Sequence, residues 1–187
     1  MTPLPAPLGG TELVACRLDR DTYRATWDSG EGAFRAGGRW NNKGVRAVYC
    51  AIDPAVAILE VAVHLGFKTL DTVPYVLTEI AILEPQNVYV VRPESISNPA
   101  WLQPGMPSAG QKDFGDGMLA DHKFMLIPST VSKHSWNLIF VRSLAAGAYA
   151  LKSQERFALD TRLHPPTRAG RQSWRQILPA WIRTGGH

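Results

Sequence analysis

Residues 54–65, PAVAILEVAVHL, are the segment that most narrows what this chain can fold into. Asp53 is a strong N-cap residue, Pro54 suits the first helical position, and Gly66 stands where helices commonly end. The pattern therefore predicts a helix over 54–65. Because the segment is apolar on nearly all sides, we expect this helix to be deeply buried.

Glu60 lies in the middle of this apolar helix. An unpaired charge is costly to bury, so the carboxylate is expected to be paired or to face a cavity, which makes it a candidate functional group. The alternative is that Glu60 lies on a wet edge of the helix beside a basic residue. His64, one turn later, can orient Glu60 or can simply satisfy its own hydrogen bonds at the helix end.

The rest of the chain alternates short strand patterns with turn signals. Strands are predicted over 13–18, 45–51, 74–83 with 87–91 as its continuation, 124–130, 136–141 and 155–163. A long polar loop over 92–115 precedes a short predicted helix over 116–125. This mixture predicts the α+β class, with one domain over 13–163 after a flexible N-terminus over 1–12.

The basic excess of the chain sits in its C-terminal tail, residues 164–187. The tail holds four of the 20 Lys and Arg residues and none of the 16 acidic residues, so the first 163 residues carry 16 of each. The pI of about 9.3 is typical of nucleic-acid-binding proteins. Because the body is formally neutral, we expect no direct nucleic-acid binding, and a basic binding module led by the tail remains a rival interpretation.

Apolar residues in the tail recur at helical spacing. They are Trp174, Ile177, Leu178, Trp181 and Ile182. The spacing predicts a short C-terminal helix, which Pro179 bends or ends. Its apolar face either packs on its own domain or docks a partner chain or a second copy, so a homo-oligomer is possible.

Several features favour the cytoplasm. The two cysteines, Cys16 and Cys50, suit a reducing compartment and form neither a disulfide framework nor a metal site. The N-terminus lacks the pattern of a signal peptide, and no run approaches the ~20 apolar residues that span a bilayer. No P-loop, HExxH, GxGxxG after a strand or paired CxxC is present, so neither a metal nor a common nucleotide-binding fold is expected.

Arg39 follows two glycines within a glycine-rich segment, 27–44, that is predicted to be a loop. A guanidinium donates two parallel hydrogen bonds to a phosphate, so Arg39 is a candidate phosphate clamp. Trp40 can stack on a nucleobase or on a nicotinamide ring. The alternative is that Arg39 forms a surface salt bridge and that Trp40 belongs to the core.

Ser129 ends a strongly apolar strand, where its hydroxyl can bind a ribose or phosphate oxygen or can simply open a turn. No GxSxG sequence surrounds it, so it is not an obvious nucleophile. Tyr49, on the strand before the predicted helix, can wall a ligand pocket or belong to the core.

These residues occur in runs that resemble the RES domain family over roughly residues 15–163. The runs are GEGAFRAGGRWNNKGVRAVYCAIDPAVAILEVAVHL, FGDGM, LIPSTVSKHSWNLIF and FALDTRL. The arginine, glutamate and serine that name the family map onto Arg39, Glu60 and Ser129. Tyr49 matches an aromatic position between the first two, and Asn137 falls near a recurrent asparagine.

The resemblance implies a fold similar to ADP-ribosyltransferases of the diphtheria-toxin type. It also implies a toxin of a bacterial toxin–antitoxin pair whose partner is an Xre-like antitoxin that blocks the active site. The implied activity is destruction of NAD by hydrolysis or phosphorolysis. Some members of the family instead transfer ADP-ribose to a protein.

Roles in NAD cleavage follow from this resemblance. Breaking the nicotinamide–ribose bond develops positive charge on the ribose. Glu60 would either stabilise this charge or bind the ribose hydroxyls. Arg39 would clamp the pyrophosphate, and Ser129 would hold ribose or phosphate. The other residues expected to contact NAD are Trp40, Tyr49 and Asn137.

Three rival functions remain open at this point. One is ADP-ribosylation of a cellular protein through the same pocket. Another is the basic nucleic-acid-binding module led by the tail. The third is a relative without activity that only binds its partner.

Overall fold

The computed structural model describes residues 12–96, 98, 100–103, 105 and 107–163. Within this part of the chain seven strands form one sheet. They are β1 (Leu13–Arg20), β2 (Ala47–Ala51), β3 (Tyr75–Ile82), β4 (Tyr89–Val90), β5 (Phe124–Pro128), β6 (Trp136–Val141) and β7 (Tyr149–Phe157). The strand order is β4-β5-β6-β2-β1-β3-β7, and all neighbours are antiparallel except the parallel pair β4 and β5. The predicted C-terminal helix lies outside the described residues.

The described helices connect these strands. They are α1 (Glu31–Ala36), α2 (Pro54–Leu65), α3 (Phe67–Thr72), α4 (Ala109–Asp121) and α5 (Arg142–Ala145), with 3-10 turns at Asp21–Thr26, Pro85–Asn87, Pro93–Ser95 and Thr161–Leu163. None of the helices that the structure describes has the length and apolar character needed to span a bilayer. A mixed sheet with short helices confirms the predicted α+β class.

Helix α2 begins and ends where the sequence predicts. The Asp53 carboxylate accepts a hydrogen bond from the Ala55 N–H at 2.7 Å, and Gly66 follows the helix with a φ of 76° that glycine adopts without strain. The expectation of deep burial is wrong, because Val63 is 61% exposed and Leu65 is 46% exposed. The helix covers one face of the sheet, so its outer side faces solvent.

Helix α4 corrects the sequence-based boundaries over 92–115 and 116–125. It begins at Ala109, so the predicted loop is too long and the predicted helix starts too late. Ser108 caps the helix, since its Oγ accepts a hydrogen bond from the Gln111 N–H at 3.2 Å. Three glycines inside α4 weaken its helical pattern in the sequence.

Other elements also differ from the prediction. The strand predicted over 155–163 is displaced, because β7 ends at Phe157 and a 3-10 turn follows. As an edge strand β7 is largely exposed, which hides its alternation. The segment 87–91 does not continue β3, since β4 lies at the far edge of the sheet beside β5. The segment 27–44, predicted as a loop, contains α1.

One face of the sheet carries both long helices. Helix α2 packs over β1 and β2, where Val56 and Ala57 meet Cys16 and Ala51. Helix α4 packs over β5 and β6 on the same face. Alternate side chains of the middle strands β2 and β6 therefore lie on this face, between the two helices.

Candidate active site

Glu60 meets two side chains that come from other elements. Its Oε1 accepts one hydrogen bond from Ser129 Oγ at 3.0 Å and another from Asn137 Nδ2 at 2.7 Å. Glu60 comes from α2, Ser129 directly follows β5, and Asn137 belongs to β6. Because Asn137 is paired with Ala51 on one side and with Ile127 on the other, the sheet fixes the position of its amide.

The hydroxyl of Ser129 is fully used within the protein. Ser129 is completely buried, and its Oγ accepts hydrogen bonds from the N–H groups of Val131 and Ser132, both at 3.2 Å. Its proton is donated to Glu60. Ser129 therefore opens a turn and orients the carboxylate at the same time, a geometry that suits a positioning role better than a nucleophile.

The Glu60 carboxylate is held by neutral donors. Among the described residues it forms no salt bridge, and His64 is exposed on α2 and does not bond to it. Asn137 Oδ1 is buried and has no hydrogen-bond partner in the described structure. Buried acceptors without a partner are uncommon and cost free energy. The half-buried Glu60 carboxylate therefore suits a ligand that carries O–H or N–H donors.

The Arg39 guanidinium is held only by backbone oxygens in the part of the chain that the structure describes. Nη1 donates to the carbonyls of Trp101 and Gln103 at 3.4 Å, and Nη2 donates to that of Gly105 at 3.3 Å. These distances exceed the usual range for N–H···O bonds, so the contacts are weak. Half-buried and without a carboxylate partner, Arg39 suits an anionic ligand better than a surface salt bridge.

The Tyr49 side chain is joined by hydrogen bonds to the loop that carries Arg39. Its hydroxyl donates to Asn41 Oδ1 at 2.7 Å and accepts from the Trp40 N–H at 3.1 Å. Burial raises the pKa of Tyr49 well above its ordinary value, and the charge of Glu60 raises it further while that of Arg39 lowers it. In the described structure Arg39 forms no hydrogen bond or ion pair with Glu60 or Ser129, and the charges of Arg39 and Glu60 both act on the Tyr49 hydroxyl.

The family model of the RES domain matches residues 14–161. The chain belongs to the RES domain family. Toxin Res of Photorhabdus laumondii is 32% identical to it over 132 residues, which are 68% of this chain and 80% of that protein. The Prs ADP-ribosylating toxin of Sphingobium sp. is 34% identical over 135 residues, 69% of this chain and 81% of that protein. These relatives place the RES protein described here among bacterial toxins.

A solved structure has the same fold. A chain of the MbcT–MbcA toxin–antitoxin complex of M. tuberculosis superposes with a TM-score of 0.63, covering 79% of this chain and 85% of that one. At 20% identity the likeness concerns the fold alone. It confirms the fold that the RES resemblance implies.

Trp40 of this RES protein lies in the core. Its side chain is 1% exposed and packs against Trp101 and Phe114, with ring centroids 5.7 Å and 6.4 Å away. The buried indole therefore offers no exposed face on which a nucleobase or a nicotinamide ring could stack. Its backbone N–H, which donates to Tyr49, is the part of the residue that faces the site.

The sequence analysis assigned no role to Asn41, the residue that follows Trp40. Asn41 is completely buried, and its Nδ2 donates to the carbonyls of Ala33 and Val45 while its Oδ1 accepts from Tyr49. These bonds close the loop that carries Arg39. The signal in the sequence is the pair of asparagines after GGRW, since asparagine commonly bonds nearby backbone groups in turns.

A separate cavity lies at the other end of β6. It has a volume of about 380 Å³ and is lined by Ser29, Arg46, Val141, Arg142, Ser143 and Ala146. Its two arginines pair with the carboxylates of Glu31 and Asp28, which balance their charge. The described ranges contain no group of His, Cys, Asp and Glu residues arranged to hold a metal ion.

Proposed function

We propose that this RES protein is the toxin of a bacterial toxin–antitoxin pair and acts in the cytoplasm by cleaving the nicotinamide–ribose bond of NAD. The observation that carries the proposal is the half-buried Glu60 carboxylate, which Ser129 and Asn137 orient by hydrogen bonds to Oε1. A ribose diol supplies the O–H donors that a carboxylate accepts.

The residues suit the charge changes of this reaction. Nicotinamide leaves as a neutral molecule, so the reaction needs no strong general acid, and positive charge develops on the ribose. A carboxylate in a fixed position stabilises that charge without reorganising, which is the role proposed for Glu60. Ser129 and Asn137 hold one carboxylate oxygen and leave Oε2 to face the ribose.

Arg39 is proposed to bind the pyrophosphate of NAD. Its weak bonds to the carbonyls of Trp101, Gln103 and Gly105 can be exchanged for stronger, charge-assisted bonds to phosphate oxygens. Tyr49 would stay a neutral phenol beside the substrate, because its pKa is raised. Water or inorganic phosphate is the proposed acceptor of the ADP-ribose.

A second candidate function is transfer of ADP-ribose to a protein. The relative in Sphingobium sp. that is named as an ADP-ribosylating toxin favours it. The proposed partner in either case is an Xre-like antitoxin, an idea supported by the toxin–antitoxin complex that shares the fold.

The test is NAD consumption by the purified protein, with and without phosphate, followed as nicotinamide release. Glu60→Ala is expected to fold and to lose about 10²-fold or more in rate, the scale of one lost electrostatic contributor. Glu155→Ala, at an exposed position on β7, serves as the matched control and should retain full activity. Equal rates for the two variants would remove the mechanism.

Radiolabelled NAD separates the candidate reactions. Label in free ADP-ribose indicates hydrolysis, label in a phosphorylated ADP-ribose indicates phosphorolysis, and label that precipitates with protein indicates ADP-ribosylation. If the wild-type protein released no nicotinamide under any of these conditions, the result would favour the alternative that it is an inactive member of the family that only binds its partner.

A further inference from the structure

The FGDGM run, residues 114–118, packs against the loop that carries Arg39. The ring of Phe114 lies 6.4 Å from that of Trp40, in an edge-on arrangement. Gly115 brings the backbone of α4 so close that a Cβ there would lie 2.0 Å from the Trp40 carbonyl oxygen. Successive residues of this run thus meet the residue that immediately follows Arg39.

Asp116, the next residue of the run, binds the loop at Asn42, two residues after Trp40. Both of its carboxylate oxygens accept hydrogen bonds from the Asn42 backbone N–H at 3.2 Å, and Oδ2 also accepts from Asn42 Nδ2 at 2.8 Å. Asp113 adds one bond to the same Nδ2 at 2.8 Å. Asp116 is half-buried, so these charge-assisted bonds are shielded from water better than surface pairs.

The Arg39 loop needs this external support. Gly37, with a φ of 74°, and Gly38 give the backbone freedom just before the arginine. Among the described residues the guanidinium bonds only to carbonyls, at 3.3–3.4 Å, and such long bonds do not fix its position. Asn41 ties the loop to the interior, and α4 holds it from the other side.

The Asp116 carboxylate binds the loop without pairing with the Arg39 guanidinium in the described structure. A carboxylate paired with the guanidinium would compete with a phosphate for the same donors. Asp116 instead spends its acceptors on Asn42, and in the described structure it makes no bond to Arg39. Its negative charge also adds to the raised pKa of Tyr49, for which burial is the main cause.

We infer that FGDGM is a positioning motif, in which Asp116 holds Asn42 so that Arg39 stays aligned for the pyrophosphate of NAD. This inference rests on the proposed function. It gives a physical role to a run of residues that forms no hydrogen bond with Glu60 in the described structure. Asp116 acts through Arg39, so its effect should fall on binding of the substrate and not on the cleavage step.

The test measures NAD binding by calorimetry in a Glu60→Gln protein, which keeps an acceptor for Ser129 and Asn137 but lacks the charge needed for turnover. Adding Asp116→Asn is expected to raise the Kd about 10-fold, the scale of one lost bond to a charged group. Asp121→Asn, at the exposed end of α4, is the matched control and should leave the Kd unchanged.

The decisive comparison is made with Arg39→Ala. If Asp116 acts through Arg39, Asp116→Asn has no further effect on the Kd once Arg39 is replaced. An unchanged Kd in the Asp116→Asn protein, or an equal effect with and without Arg39, would overturn the inference. In active protein the same substitution should raise KM and leave kcat close to the wild-type value.

Hydrogen exchange provides a readout that needs no NAD. Amides of residues 40–44 should exchange faster in Asp116→Asn than in Asp121→Asn, since the Asn42 N–H loses its charged acceptor. Unchanged exchange would overturn the clamp itself. Absence of both NAD binding and NAD consumption would instead remove the proposed function, while exchange would still report whether Asp116 holds the loop.

Discussion

At the scale of single residues, Tyr49 shows how one hydroxyl organises the site. Its oxygen bonds to a buried amide oxygen of Asn41 and to the backbone N–H of Trp40, so it joins β2 to the Arg39 loop. Gly38 leaves the space for it, since a Cβ there would lie 2.5 Å from the same oxygen. Tyr49 therefore stabilises the Arg39 loop, in addition to its proposed place beside NAD.

Replacing Tyr49 by phenylalanine tests this role. The substitution leaves the completely buried Asn41 Oδ1 without its donor, so the free energy of unfolding should fall by about 1–3 kcal/mol. Urea denaturation measures the change. Tyr23→Phe is the control, because Tyr23 is 56% exposed, and equal stability of the two variants would contradict the assignment.

At the scale of elements, helix α4 depends on where its glycines lie. Gly115 faces the Trp40 backbone with no room for a side chain, whereas Gly117, two residues later, has open space around it. The same residue type thus has two meanings in one helix. The first permits close packing, and the second only lowers the intrinsic stability of the helix.

Alanine substitutions at these two positions should have opposite effects. Gly115→Ala forces α4 away from a rigid backbone oxygen and should lower the free energy of unfolding by about 1–3 kcal/mol, or more if α4 cannot shift. Gly117→Ala should raise it by about 0.5–1 kcal/mol. Thermal and urea unfolding of both variants measure the difference. If both substitutions changed the free energy of unfolding in the same direction, the close packing of α4 against the Trp40 backbone would be refuted.

At the scale of the whole molecule, two cysteine thiols and a tyrosine hydroxyl lose their protons less readily in the folded protein than in free solution. Burial raises the pKa of the Cys16 thiol to about 11, with the nearby Glu79 carboxylate adding to the effect, and that of Cys50 to about 12. Burial also raises the pKa of Tyr149, whose hydroxyl donates to Asp28 at 2.7 Å. For each of these groups the pKa is higher in the folded protein than in the unfolded chain. Its contribution to stability is therefore complete only below the pKa of the unfolded chain.

Stability should therefore fall in alkaline solution. The folded protein keeps thiol protons that the unfolded chain releases above a pKa of 9.0, so the thiol contribution is complete below pH 9 and is lost as pH rises toward 11 and 12. Urea denaturation between pH 7 and 11 measures this decline. A protein with both Cys16→Ala and Cys50→Ala should be less stable at pH 7, but its free energy of unfolding should fall less steeply with rising pH. An unchanged slope would show that the thiols do not cause the decline.

Local patterns predicted those features that neighbouring residues determine. Asp53, Pro54 and Gly66 defined α2 because capping depends on the groups within one turn of a helix end. The carboxylate in an apolar helix marked Glu60, because an isolated buried charge needs partners. Interior strands such as β5 and β6 were also predictable, since they bury continuous apolar runs.

Only the tertiary structure decided which partners those groups meet. Asn137 and Ser129 reach Glu60 because sheet order places β6 beside β2, which α2 covers, and β5 next to β6. No local spacing encodes that order. Trp40 entered the core and Asp116 reached the Arg39 loop for the same reason. The sequence alone determined the helix, its lone carboxylate and the family, because these depend on short-range pattern, whereas burial and hydrogen-bond partners depend on packing between distant segments.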